Sequence, residues 1–116
     1  MQFKLIMALA GDEFTEAILT AARGAGATGC TVIPSARGEG IEPEKTFLGL
    51  NLTGQRDLLM FLVAEPLSRK ILEAVAEAGK FDLTPGSGIA FQVGIEDAVG
   101  LGSQLETITS EIEDQI

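Results

Sequence analysis

Phe3, Leu5, Met7 and Leu9 alternate with Lys4, Ile6 and Ala8, the period-two pattern of a strand buried fully on one face and partly on the other. Gly11-Asp12 ends the run, and Asp12 reads as a helix N-cap. Glu13 and Glu16 fall in the first helical turn, where negative charge is favoured. Phe14, Ile18, Ala21, Ala22 and Ala25 recur at helical spacing, and the glycines from Gly24 to Gly29 close that helix. Cys30-Thr31-Val32-Ile33 starts a second strand that runs out into Arg37-Gly38-Glu39-Gly40. Ile41–Gln55 is polar and loop-like. The apolar run RDLLMFLVA, from Arg56 to Ala64, predicts a central strand covered on both faces. Glu65-Pro66 opens a second helix, with proline acceptable in the first turn. Its apolar stripe is Leu67, Ile71, Val75 and Ala78, and Gly79 is its stop. In the fourth strand Ile89, Phe91, Val93 and Ile95 read as the inward face, alternating with Ala90, Gln92 and Gly94.

The order β-α-β-loop-β-α-β in a chain of 116 residues predicts one α+β domain. The expected architecture is a ferredoxin-like βαββαβ sandwich: an antiparallel four-stranded sheet with both helices on one face. The other sheet face, assigned to Ile6, Ala8, Ala90 and Gln92, then needs a cover, which association of subunits would supply.

Composition sharpens this. A hydrophobic fraction of 46% and a mean hydropathy of +0.28 accompany a net charge of −9, which points to apolar surface reserved for subunit contacts. Only 8 Lys and Arg stand against 17 Asp and Glu, which argues against nucleic acid and against anionic lipid as partners. No apolar run reaches the roughly 18 residues of a membrane span, and the N-terminus lacks a cleavable leader pattern. With the single Cys30 these features suggest a cytoplasmic protein without disulfides. The lack of His removes the commonest general base and metal ligand, and no nucleophile has a base beside it in sequence. An enzyme is the least supported class.

The most informative stretch is Gly79–Leu101. Its loop Thr84-Pro85-Gly86-Ser87-Gly88 runs straight into the last strand, which ends at Glu96-Asp97-Ala98-Val99-Gly100. Glycine takes up backbone angles that a β-carbon forbids, so such a loop can converge N–H groups on an anion. Taken alone, Pro85-Gly86 is a turn signal, Thr31 an ordinary strand residue, Arg37 and Lys45 solvated loop charges, and Cys30 a small buried hydrophobe.

This block resembles the C-terminal segment of the PII signalling family, where T-G-x-x-G-x-G precedes a strand ending in V-E-D-A/V. Gly24–Gly40, GAGATGCTVIPSARGEG, is similar to that family's second strand, G-x-x-G-[MC]-T-V-x-x-x-x-G-x-G. The resemblance runs from Lys4 to about Leu101. It implies a homotrimer that senses an adenine nucleotide in the cleft between subunits. Thr31 would meet the adenine, and Arg37, Gly38, Glu39 and Gly40 would lie near the ribose and phosphates. Gly86, Ser87 and Gly88 of the adjacent subunit would bring N–H groups to the phosphates. Ile41–Gln55 would be a shortened T-loop, whose Thr46, Phe47, Leu48 and Leu50 engage a partner, by resemblance a membrane transporter or channel. Residues 1–101 would form the domain. Residues 102–116 would be an acidic tail, read either as a solvated end or as a short amphipathic helix carrying Leu105, Ile108 and Ile112.

Departures from the family refine the ligand. Ile89 stands where the best-known members place a phosphate-clamping lysine, and Val99–Ser103 lacks their two arginines. A charge-assisted contact to phosphate is worth roughly 1.5–3 kcal/mol, so AMP, cyclic AMP or ADP fits better than ATP, and an empty, vestigial site is the other reading. Arg37, Lys45 and Arg56 are the candidate replacement cations. Without Tyr the loop cannot be uridylylated at tyrosine. Two alternatives stand beside the regulator: a CutA-like trimer linked to divalent metals, disfavoured by the absence of His and Trp, and a stand-alone ACT-like small-molecule module.

Overall fold

The computed structural model describes residues 2–36, 55–84 and 86–100. Strands β1 (Phe3–Gly11), β2 (Thr31–Ala36), β3 (Arg56–Ala64) and β4 (Gly88–Ile95) form one sheet in the order β2-β3-β1-β4. Each neighbouring pair is antiparallel. Helices α1 (Thr15–Gly24) and α2 (Glu65–Ala78) pack on one face. This is the expected ferredoxin-like sandwich, with β1 and β3 central and β2 and β4 at the edges.

The core lies between sheet and helices. Ile6, Ala8, Ala10, Leu59, Phe61 and Val63 meet Ile18, Ala22, Leu67, Ile71 and Val75, all buried. The alanines in β1 and α1 give the bulky stripe of α2 and the Phe61 ring room to fit, which close packing demands.

That arrangement inverts the expected faces. Ile6 pairs with Gln92 and Ala8 with Ala90, and this row lies under the helices. Phe3, Leu5, Met7 and Leu9 instead share the opposite face with Leu58, Met60, Leu62, Ile89, Phe91, Val93 and Ile95. Among the described residues no helix covers them, and Phe91 and Val93 are each 42% exposed. The physical reason is size. On β1 and β4 the row with Ala8, Ala10 and Ala90 leaves room beneath the helices for Phe61 and the α2 stripe, and the larger row faces outward.

The entry to α1 also differs from expectation. Asp12 does not cap an α-helix. Asp12–Phe14 forms a tight 3-10 turn led by Gly11, with no side-chain cap bond, and α1 begins at Thr15. The Asp12 N–H donates to the Gln55 carbonyl at 3.2 Å, so β1's end is tied to the chain entering β3. Beside it the Thr15 hydroxyl donates to Asp57 Oδ2 at 2.6 Å, with both residues buried. A buried polar group that loses its partner costs about 1–3 kcal/mol. Thr15→Val should therefore destabilise by that amount in urea unfolding, while Thr15→Ser stays near wild type. Equal midpoints for the two variants would remove the bond from the account of stability.

α2 starts with Pro66 in its first turn and stops at Gly79, as its sequence predicts. Gly79 itself keeps φ −81, and the left-handed residue is Lys80, at φ 56. Of the expected loop Ile41–Gln55 only Gln55 lies within the described residues, and the tail 102–116 lies outside them.

Candidate functional site

Antiparallel pairing brings four strand ends together. Gly11 stands opposite Arg56, Ala36 opposite Arg56, and Ala10 opposite Gly88. The end of β2 and the start of β3 thus lie at the end of the sheet where the glycine-rich turn meets β4. A register shift between Ile33 and Ala36 and a positive φ of 57 at Ser35 mark the end of β2. The Ser35 hydroxyl donates to Gln55 Oε1 at 3.1 Å, bridging the two.

The turn after α2 is built around one carbonyl. Lys80 O accepts the Leu83 N–H at 3.2 Å, the Thr84 N–H at 2.9 Å and the Ser87 hydroxyl at 3.1 Å. The Ser87 N–H donates to Thr84 O at 3.1 Å. Gly86 takes φ 77, where a β-carbon is strained. Gly88 is required for space. A β-carbon there would lie 2.5 Å from Leu9 O and clash with the edge of the Phe81 ring, which a β-carbon on Gly79 would strike as well. The Arg56 guanidinium completes the turn, with Nη1 donating to Ser87 O at 3.0 Å and Nη2 to Gly86 O at 3.3 Å.

The structure therefore gathers Gly86, Ser87 and Gly88 in one turn. Ser87 is buried, with its hydroxyl and its N–H both engaged inside the chain. Thr31 lies elsewhere. It is exposed on edge strand β2, level with Met60 in mid-sheet. β2 and β4 are the two edges of the sheet. At about 4.8 Å per strand interval they stand roughly 14 Å apart, so one chain cannot close both groups around one small ligand. Arg37, Gly38, Glu39 and Gly40, and likewise Thr46, Phe47, Leu48 and Leu50, lie outside the described residues.

Arg56, a candidate replacement cation by its position beside the loop, has a structural contact that sequence reasoning does not reveal: its guanidinium clamps two backbone carbonyls of the turn. Nothing in its spacing signals this, because the contact depends on strand order. Cys30 is half-buried, and burial pushes its thiol above its usual range against a smaller opposite effect from a backbone hydrogen bond to Met60. At neutral pH it is a thiol. An open groove of about 290 Å³ runs between α2 and the start of β4, past Leu72, Phe81 and the exposed Arg69–Glu73 pair.

The family model described as "Nitrogen regulatory protein P-II" matches residues 3–104. No curated protein matches the chain in sequence. Among solved structures, a PII-like signalling protein from Thermus thermophilus is 24% identical with a TM-score of 0.60, over 82% of this chain and 88% of that one. CPII from Thiomonas intermedia K12, bound to ADP, AMP and acetate, is 18% identical with a TM-score of 0.62, over 83% and 90%. Its apo form, a nitrogen regulatory PII-like protein, is 20% identical with a TM-score of 0.64, over 82% and 90%.

Proposed function

Because this chain belongs to the nitrogen regulatory protein P-II family, we propose that it is a homotrimeric regulator that senses an adenine nucleotide between subunits. Thr31 and the segment Arg37-Gly38-Glu39-Gly40 take the base and ribose from one subunit. The turn Gly86-Ser87-Gly88 of the next subunit takes the phosphates through backbone N–H groups, with Ser87's own polar groups holding the turn shut from within. The loop 41–55 passes the occupied or empty state to a partner protein through Thr46, Phe47, Leu48 and Leu50. By family the partner is a membrane transporter or channel, and the protein works in the cytoplasm.

One observation carries this reading: the sheet face opposite the helices is apolar across β3, β1 and β4 and has no cover among the described residues. A neighbouring subunit on that face would bring one chain's β2 edge towards another's β4 edge, which a single chain keeps apart. A CPII structure holding ADP and AMP supports an adenine nucleotide with fewer than three phosphates. So does Ile89, where a lysine would favour ATP.

Isothermal titration with AMP, cyclic AMP, ADP and ATP tests this. Micromolar binding of AMP or ADP is expected, with ATP no tighter than ADP. A ligand at a hundredfold excess over Kd should add about 2.7 kcal/mol of stability. The absence of both heat and thermal shift with all four nucleotides would overturn the nucleotide reading. Sedimentation tests the assembly separately, with a species of three times 12.2 kDa expected.

A further inference from the structure

We propose that Arg56 is the positioning residue of the effector turn: it grips the Gly86 and Ser87 carbonyls from across the sheet and thereby aims the Gly88 N–H outward, toward the anion. This inference rests on reading Gly86–Gly88 as the phosphate side of the site.

Three observations carry it. The first is reach. β3 and β4 flank β1, so Arg56 must cross about two strand intervals, roughly 9.6 Å, to touch the turn. It does so at the sheet end where its ladder partner is Gly11, which has no side chain. The second is the fork. Two nitrogens of one guanidinium meet two consecutive carbonyls, at 3.0 and 3.3 Å. A planar guanidinium can fix two peptide planes at once, whereas an ammonium is a single point charge.

The third is the consequence for the peptides themselves. A trans peptide directs its N–H opposite to its C=O. The peptide carrying Gly86 O is held on its other side by the Ser87 N–H bond to Thr84 O, so that plane is fixed from both sides. The next peptide, carrying Ser87 O, then turns the Gly88 N–H away from Arg56. Among the described residues β4 is an edge strand, so away from Arg56 means away from the sheet. A cation on the carbonyl side also polarises both peptides and makes their N–H ends better anion donors. Arg56 thus acts through the turn rather than on phosphate.

Amide exchange measured by NMR on the ligand-free protein, followed by titration with AMP and ADP, tests this on wild type, Arg56→Lys and Arg56→Ala. In Arg56→Ala the Ser87 amide should exchange about tenfold faster or more, while Leu59 and Phe61 in mid-β3 keep their rates. AMP and ADP should weaken by the same factor, also about tenfold, and Arg56→Lys should not restore them. Unchanged Ser87 exchange would overturn the proposal. So would a loss larger for ADP than for AMP, or full rescue by lysine, since either makes Arg56 a phosphate-side charge. If wild type binds neither nucleotide, the effector reading fails, and the Ser87 rate still decides whether Arg56 holds the turn. Should Arg56→Ala not fold, Arg56→Lys carries the comparison, because a point charge cannot hold both carbonyls.

Discussion

Gly88→Ala should destabilise the protein by about 2–3 kcal/mol, more than a single added methyl group costs at most positions. The new β-carbon would lie 2.5 Å from Leu9 O and overlap the Phe81 ring. The ring could swing aside at the expense of its packing against Gly79. The Leu9 carbonyl cannot move, because Leu9 is held in the ladder opposite both Leu58 and Ile89. For a domain of this size each kcal/mol is worth roughly 4–8 °C in Tm, so a fall of about 8 °C or more is expected in thermal unfolding at fixed protein concentration. Gly29→Ala is the control, because its β-carbon meets nothing within 4 Å. If both variants melt alike, within a degree or two of wild type, close approach at Gly88 is not what fixes glycine there. Gly88→Ala combined with Phe81→Leu should recover only the part of the loss due to the ring.

The second large effect concerns the uncovered sheet face. Met7 stands at its centre, level with Met60 on β3 and Phe91 on β4. Met7→Glu would place a carboxylate there in every copy. In a lone chain that face meets water, and a surface change of this kind is worth within about 0.5 kcal/mol. In a trimer three carboxylates would be buried together, each at several kcal/mol. Met7→Glu should therefore sediment as a folded monomer with a far-UV circular dichroism spectrum close to wild type, and should lose nucleotide binding with the subunit cleft. A Met7→Glu protein that keeps the wild-type mass would mean that this face is not the one by which copies meet.

Much of the fold was legible because each element carries one clear period. Alternation marked the strands, the helical spacing of Ile18 with Ala22 and of Ile71 with Val75 marked the helices, and Pro66 and Gly79 punctuated α2. The choice of inner face was not legible. On β1 and β4 hydropathy points to the wrong row: the more apolar one, Phe3 to Leu9 with Ile89 to Ile95, faces away from the helices, and the row with Lys4, Ala8, Ala90 and Gln92 lies beneath them. The Asp12 cap failed for a related reason. Asp-Glu after glycine suits an α-helical start and a 3-10 turn alike, and the tie from Asp12 to Gln55 comes from a distant part of the chain. In the site, the glycines were recognisable as a tight turn. The reasons each is required, the Phe81 ring, the Leu9 carbonyl and the Arg56 fork, are contacts set by strand order, which no local motif encodes.

That order has a further consequence for how the chain can be rewired. Phe3 and Ile95 are ladder partners at one end of adjacent antiparallel strands, and Ala36 and Arg56 are ladder partners at the other end of the sheet. A two-residue hairpin turn could join Ile95 to Phe3, and the backbone could be opened between Ala36 and Gln55, without breaking a single strand pair. Such a circular permutant would begin at Gln55 and finish at Gly40, keeping the segment Arg37–Gly40. The strand ends that carry its two new termini lie side by side next to the glycine-rich turn, where a split reporter attached to those termini could sense what binds there.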